Sequence, residues 1–126
     1  MHAVRVGNFI YTSGQTSSWG DKKIVGKVGQ DVSIEEAYEG AKLSALNCLQ
    51  AAHTLIGSID NVVRVVKVLG MVNAAPDFND TPSVINGASD LFIEVFGDAG
   101  RHARSAVGMQ IPFDFAVEVE VIFEVK

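Results

Sequence analysis

With 126 residues, 48% of them hydrophobic and 20% charged, this chain can bury a single-domain core and is too apolar to be disordered. Fifteen acidic residues against ten lysines and arginines give a formal net charge of −5, with no basic run, which argues against nucleic acid as a partner. No run of about 18 apolar residues exists, so no membrane partner or membrane span is expected.

The start, Met1-His-Ala-Val-Arg5, runs into a strand pattern and not into a signal peptide. One cysteine, Cys48, forbids an internal disulfide, and the two observations together point to a cytoplasmic protein. Val4 to Thr12 alternates as two short strands around the turn dipeptide Gly7-Asn8. Ser17 to Lys23 reads as a polar loop, and Ile24 to Gly29 as a short strand. Ser33-x-x-Glu36 is a capping box that opens a helix running to Ile56 and stopping at Gly57. Its apolar stripe is Ala41, Ala45, Leu46, Leu49, Ala52 and Ile56.

Asn61 to Val72 is β-branched and apolar on both faces, interrupted by Arg64 and Lys67. Such a strand needs cover on both sides, and one helical layer covers only one, which suggests a partner subunit. A second helix is expected from Pro82, with Thr81 as its N-cap, ending at Gly97 to Gly100. The last quarter, Ala103 to Lys126, reads as two strands paired through a tight turn at Pro112. Phe115, Val117, Val119, Val121, Phe123 and Val125 share one face; Glu118, Glu120 and Glu124 share the other. Matching apolar to apolar across this pair puts Arg104 on the face of Glu118 and Glu120. Taken alone, that arrangement fits a solvated face with a surface ion pair better than it fits a site. The order is α+β, with two helices on one face of a mixed sheet, in a single domain spanning 1–126.

Gly7-Asn8-Phe-Ile-Tyr-Thr-Ser-Gly14-Gln15, Asn61-Val-Val-Arg-Val-Val-Lys-Val68, Asn86, Ala103-Arg104-Ser105 and Val117-Glu118-Val119-Glu120 occur in that order. As an ordered set they resemble the Rid family, also called YjgF or endoribonuclease L-PSP proteins. Val84 to Asp90 and Gly100 to Gly108 suggest a divergent branch of it. The resemblance implies a chorismate-mutase-like fold and a homotrimer with a central barrel and intersubunit clefts. It also implies cofactor-independent, metal-free hydrolysis of small 2-imino and enamino acids to 2-oxo acids and ammonia. Carried over by position, Arg104 grips the substrate carboxylate, Glu118 handles protons, and Glu120 is a further acid on the same face. Ser13, Gly14, Asn86 and Ala106 line the pocket. Three departures accompany the match, one being Phe113-Asp114-Phe115 at the Pro112 turn in place of a more charged run. A Gly-Pro-Tyr stretch of the active imine hydrolases has no counterpart among these residues, and Ala106 stands where many members carry cysteine. A non-catalytic trimer binding a small carboxylate is the alternative reading, and ribonuclease activity a third that the acidic charge disfavours.

Among the remaining residues, Cys48 reads as a buried small hydrophobe, and His2, His53 and His102 lack metal-ligand spacing. His102 reads as a loop residue, singled out as a candidate ligand contact only because it flanks Arg101 and Arg104. Trp19 lies in a loop, where capping an intersubunit cleft and simple exposure are equal readings, and Arg5 and Arg64 read as structural partners.

Overall fold

The computed structural model describes residues 1–126. Strands β1 (Ala3–Val6) and β2 (Phe9–Thr12) form the expected hairpin, with Gly7 at φ 57° supplying the turn. Two short strands follow, β3 (Gln15–Thr16) and β4 (Ser18–Trp19), the latter pairing with β5 (Lys22–Lys23). The expected loop thus holds a small hairpin, and half-exposed Trp19 belongs to it. The strand expected over Ile24 to Gly29 does not form. Gly26 and Gly29 sit at φ 122° and 91°, which breaks the pleat, and only isolated bridges at Val25 and Val28 remain.

Helix α1 (Ile34–Ile56) has the boundaries the sequence dictates. Ser33 Oγ accepts from the Glu36 N–H, the Glu36 carboxylate accepts from the Ser33 N–H, and Gly57 closes the helix at φ 78°. Strand β6 (Val62–Val72) leads into α2 (Thr81–Phe96). The N-cap of α2 is Asp80 and not Thr81. The Thr81 hydroxyl instead donates to the Ala106 carbonyl at 2.9 Å, so Asp80 accepts from the Ser83 N–H. A short 3-10 turn, Gly97–Gly100, passes the chain to β7 (Ala103–Gly108), and β8 (Val117–Val125) ends it.

The sheet order is β1-β2-β8-β6-β7, with β3 also pairing to β8. This overturns the terminal hairpin: β7 and β8 do not touch, because β6 lies between them. β7 runs parallel to β6 and β8 antiparallel to it. The physical reason is the β6–α2–β7 crossover, which returns the chain parallel to β6 on its outer edge. The connection through Pro112–Asp114 must then span the end of β6. It does so against that strand's last residues: the Met109 N–H donates to Val72 and the Asn73 N–H to the Ala116 carbonyl.

Both helices pack on one face of the sheet, and the odd-numbered residues of β8, Val117 to Val125, are buried beneath them. α1 lays down a stripe of small residues, Ala37, Ala41, Ala45, Cys48 and Ala52, all fully buried. Cys48 is the small hydrophobe expected, its thiol pushed up to about 12, chiefly by burial. The helices approach so closely that a Cβ at Gly87 would lie 2.0 Å from the Tyr38 carbonyl oxygen. Gly87→Ala sets helix propensity, worth about 1 kcal/mol in favour of alanine, against a backbone clash. Overpacking of about 1–3 kcal/mol dominates, so the variant is less stable than wild type in urea denaturation despite the better helix former.

Candidate functional site

Arg104 lies on β7, half-buried, opposite Val68 of β6, and Val68 is opposite Val121 of β8. Paired residues share a face, so Arg104 is on the helix side of the sheet. Its Nη1 donates to Asn86 Oδ1 at 2.8 Å and to Ser89 Oγ at 3.1 Å, both on α2. Asn86 and Ser89 are three apart on that helix and therefore neighbours on one face. Nε and Nη2 have no partner in the chain, and no carboxylate pairs with this guanidinium. Those two groups form the parallel donor edge that fits both oxygens of a carboxylate.

His102 adjoins this group. Its Nδ1 is 2.6 Å from the Gly100 carbonyl and its Nε2 is 2.9 Å from Ser89 Oγ. Burial lowers its pKa from the ordinary histidine value; the Gly100 carbonyl raises it and the Arg104 charge lowers it. Ser89, Ile93, Arg101, His102 and Arg104 line a cavity of about 210 Å³ in which no carboxylate takes part.

The acids lie elsewhere. Glu118 is opposite Met71 and Glu120 opposite Leu69, on the open face of the sheet. Between Tyr11 and Gln15 the edge strand advances four residues while β8 advances three, from Ile122 to Val119. The extra residue makes a bulge at Ser13–Gly14, a device that re-aims backbone beside a site. Gly14 is required there, since a Cβ on it would fall 2.0 Å from Glu118 Oε2. Glu118 thus rests on bare backbone. Its pKa is raised from the ordinary carboxylate value, first by burial and then by the charge of Glu120.

The residues expected to form one site therefore split in two. Arg104, Asn86 and Ala106 stand at the outer edge on the helix side. Glu118, Glu120, Ser13 and Gly14 stand on the open face, two strand spacings or ~10 Å away across the sheet. The shared face expected for Arg104 and Glu118 is wrong, because it rested on the β7–β8 pairing. Two carried-over residues are also engaged within the chain. The Ser13 hydroxyl donates to the Met1 carbonyl at 2.7 Å, and the Ala106 carbonyl accepts from Thr81. Ser89 was missed altogether; its spacing from Asn86 was the available signal, but nothing in the sequence said which strand that helix face meets. His102 is not a loop bystander but part of the Arg104 group. Arg5 is structural as expected, holding the Gly7 and Lys126 carbonyls, and Arg64 reaches the Arg101 carbonyl at 3.5 Å.

Residues 2–119 match the model of the family described as "YjgF/chorismate mutase-like, putative endoribonuclease". The chain belongs to this family. Its relatives include Protein TCP17 of Trypanosoma cruzi, 41% identical over 105 residues, which are 82% of this chain and 66% of that protein. The chain therefore spans just under two thirds of that relative's length. Among solved structures, the Atu1372 protein of Agrobacterium tumefaciens, of unknown function, is 40% identical with a TM-score of 0.95, covering 100% of this chain and 81% of that one. A protein of Shewanella oneidensis described as a putative endoribonuclease is 28% identical with a TM-score of 0.94, covering 99% and 84%. These relatives share the α+β YjgF fold with its mixed sheet and two helices.

The raised Glu118 pKa has a consequence for stability. A folded carboxyl that binds its proton more tightly than the unfolded one leaves the fold unburdened below the ordinary carboxylate range. The cost appears as pH rises through its elevated pKa. Glu118→Gln should accordingly melt at or above the wild-type temperature at pH 7. That difference should vanish in scans run below pH 4.

Proposed function

We propose that this YjgF-family chain is a cofactor-independent hydrolase that converts small 2-imino or enamino acids to 2-oxo acids and ammonia, at a site completed by a second copy of the chain. The observation that carries the reading is the Arg104 guanidinium. It is braced along one edge by Asn86 and Ser89, has no acid partner, and offers its Nε–Nη2 edge to a carboxylate. In a chain of net charge −5, a guanidinium left without a carboxylate partner marks a position suited to an anionic ligand.

The proton chemistry falls to Glu118. Its pKa is raised by burial and by Glu120, the direction that favours a carboxyl acting as a proton donor. In the proposed sequence, protonated Glu118 gives its proton to the imine nitrogen. Water then adds to C2 as the resulting carboxylate takes a proton from it. Glu118 then protonates the carbinolamine nitrogen, the C–N bond breaks, ammonia leaves, and the C2 hydroxyl returns its proton to the Glu118 carboxylate as it closes to a carbonyl. Imines hydrolyse readily, so positioning and charge stabilisation suffice without a covalent intermediate. Glu120 keeps the Glu118 proton in place by repulsion.

Arg104 and Glu118 of one chain occupy opposite faces, so the proposal needs Arg104 from one copy and Glu118 from its neighbour, as in a trimer. The open face supports such a contact. Val4, Val6, Phe9, Tyr11 and Val107 are exposed there, an apolar sheet surface that a single chain leaves uncovered. The proposed site includes no metal, nucleic acid or membrane. Ala106, in place of the cysteine of many members, favours a second reading: a trimer that binds a small carboxylate without turning anything over.

Sedimentation at micromolar concentration should return three times the 13.5 kDa chain mass. In an assay coupled to an amino-acid oxidase, wild type should accelerate imine hydrolysis, Arg104→Ala should abolish the acceleration, and Arg104→Lys should lose about tenfold or more. A pyruvate-induced thermal shift without any acceleration would assign the binding reading instead. Neither shift nor acceleration would refute both.

A further inference from the structure

We propose that Ser89 and His102 form a positioning relay that fixes the Arg104 guanidinium with its Nε–Nη2 edge turned outward, a device that rests on Arg104 being the carboxylate anchor. Each link of the relay dictates the next. The Gly100 carbonyl can only accept, so His102 Nδ1 at 2.6 Å carries the ring proton. Nε2 of the neutral ring is then an acceptor. The proton between it and Ser89 Oγ, 2.9 Å away, must be the hydroxyl's own. With that proton committed, Ser89 has only lone pairs to offer, and Arg104 Nη1 donates into one at 3.1 Å. The second Nη1 hydrogen goes to Asn86 at 2.8 Å. Nη1 is saturated and the opposite edge is left for a ligand.

The ring that starts the relay is itself immobilised. His102 meets Phe92 edge-on, centroids 6.0 Å apart at 90°, and Phe92 meets Phe123 in the same manner at 5.9 Å. Both phenylalanines are fully buried. The orientation of Arg104 is therefore referenced to the core through His102, Phe92 and Phe123. The groups around the ring are Ser89 and Phe92 from α2, the Gly100 carbonyl from the 3-10 turn, and Arg104 from β7. Arg101 beside it is paired to Asp98, and Arg64 of β6 reaches only the Arg101 carbonyl. No acid faces the imidazole, which favours the neutral ring the relay requires.

Ser89 and His102 also have the spacing of a nucleophile and its base. Two features favour positioning over nucleophilic attack. Ser89 is buried, and Arg104 occupies a lone pair that attack would use.

Protonation of His102 reverses the relay. Nε2–H would then donate to Ser89 Oγ and compete with Arg104 for the same oxygen, with two cations around one hydroxyl. Carboxylate affinity should fall as pH drops below the ordinary histidine value.

The test uses the full chain with pyruvate as probe, by calorimetry from pH 5 to 8, together with imine-hydrolysis kinetics. Ser89→Ala and His102→Phe should each weaken pyruvate binding about tenfold at pH 7, raising KM with kcat little changed. The double variant should bind no more weakly than either single one, and neither change should matter in an Arg104→Ala background. His102→Gln, whose side-chain oxygen can accept from Ser89, should restore most of the affinity and remove the acid limb of the binding profile. Glu118 titrates in both proteins, so its contribution cancels in that comparison.

Wild-type affinity in folded Ser89→Ala or His102→Gln with the acid limb intact would overturn the relay. So would additive losses, equal losses without Arg104, or covalent capture of Ser89 by a fluorophosphonate. If Arg104→Ala binds pyruvate like wild type, the anchor reading fails and the relay with it. If only Arg104→Ala loses binding, the anchor stands and the relay alone is refuted.

Discussion

The β6–α2–β7 crossover is the constraint on which the rest of this molecule depends. A strand leaving α2 must return parallel to β6, and the free edge it takes is the outer one. That single choice puts Arg104 beside the helix it has just left. Asn86 and Ser89, three residues apart on α2, then face the guanidinium across a short gap. It also forces β8 to the other side of β6, so the longest antiparallel ladder of the sheet runs through its centre. The helix-facing residues of that ladder fill the core, and its open face carries the acids.

The two polar groups that result are complementary in what each lacks. Arg104 has charge and geometry but no acid beside it. Glu118 has a carboxyl whose hold on a proton is strengthened by partial burial and by Glu120, but no cation to fix a substrate beside it. The bulge at Ser13–Gly14 and the missing Cβ of Gly14 let the Glu118 carboxyl lie against backbone. Neither group can neutralise the other within one chain, because a sheet and a strand's width separate them. An intramolecular ion pair would have satisfied both and left nothing for a ligand. The open apolar sheet face and this polar separation both support the proposal of a site shared between copies.

Much of the fold was legible residue by residue. Ser33, Glu36 and Gly57 fix the ends of α1 through local hydrogen bonds and a left-handed cap, which depend on no distant contact. The alternation Val117 to Val125 gives the buried face of β8, since successive side chains must point to opposite sides. The α2 cap shifted by one residue because the Thr81 hydroxyl is claimed by Ala106, a contact 25 residues away in sequence. Ile24 to Gly29 failed as a strand because two glycines there adopt positive φ. Of the candidate site, the ordered motifs identified Arg104, Asn86, Gly14 and Glu118 by position, and the structure gives each of them a distinct environment.

By itself, then, the sequence determined the two helices and the longer strands, the buried face of β8, and which residue types are available for chemistry. Those are properties of a residue and its near neighbours. Only the tertiary structure decided that β7 pairs with β6 and not with β8, and hence that Arg104 and Glu118 lie on opposite faces. Alternation states which side of a strand is buried but not which strand lies next to it. The neighbour is set by the handed path of the chain through α2, and so is the meeting of Ser89 and His102 with Arg104.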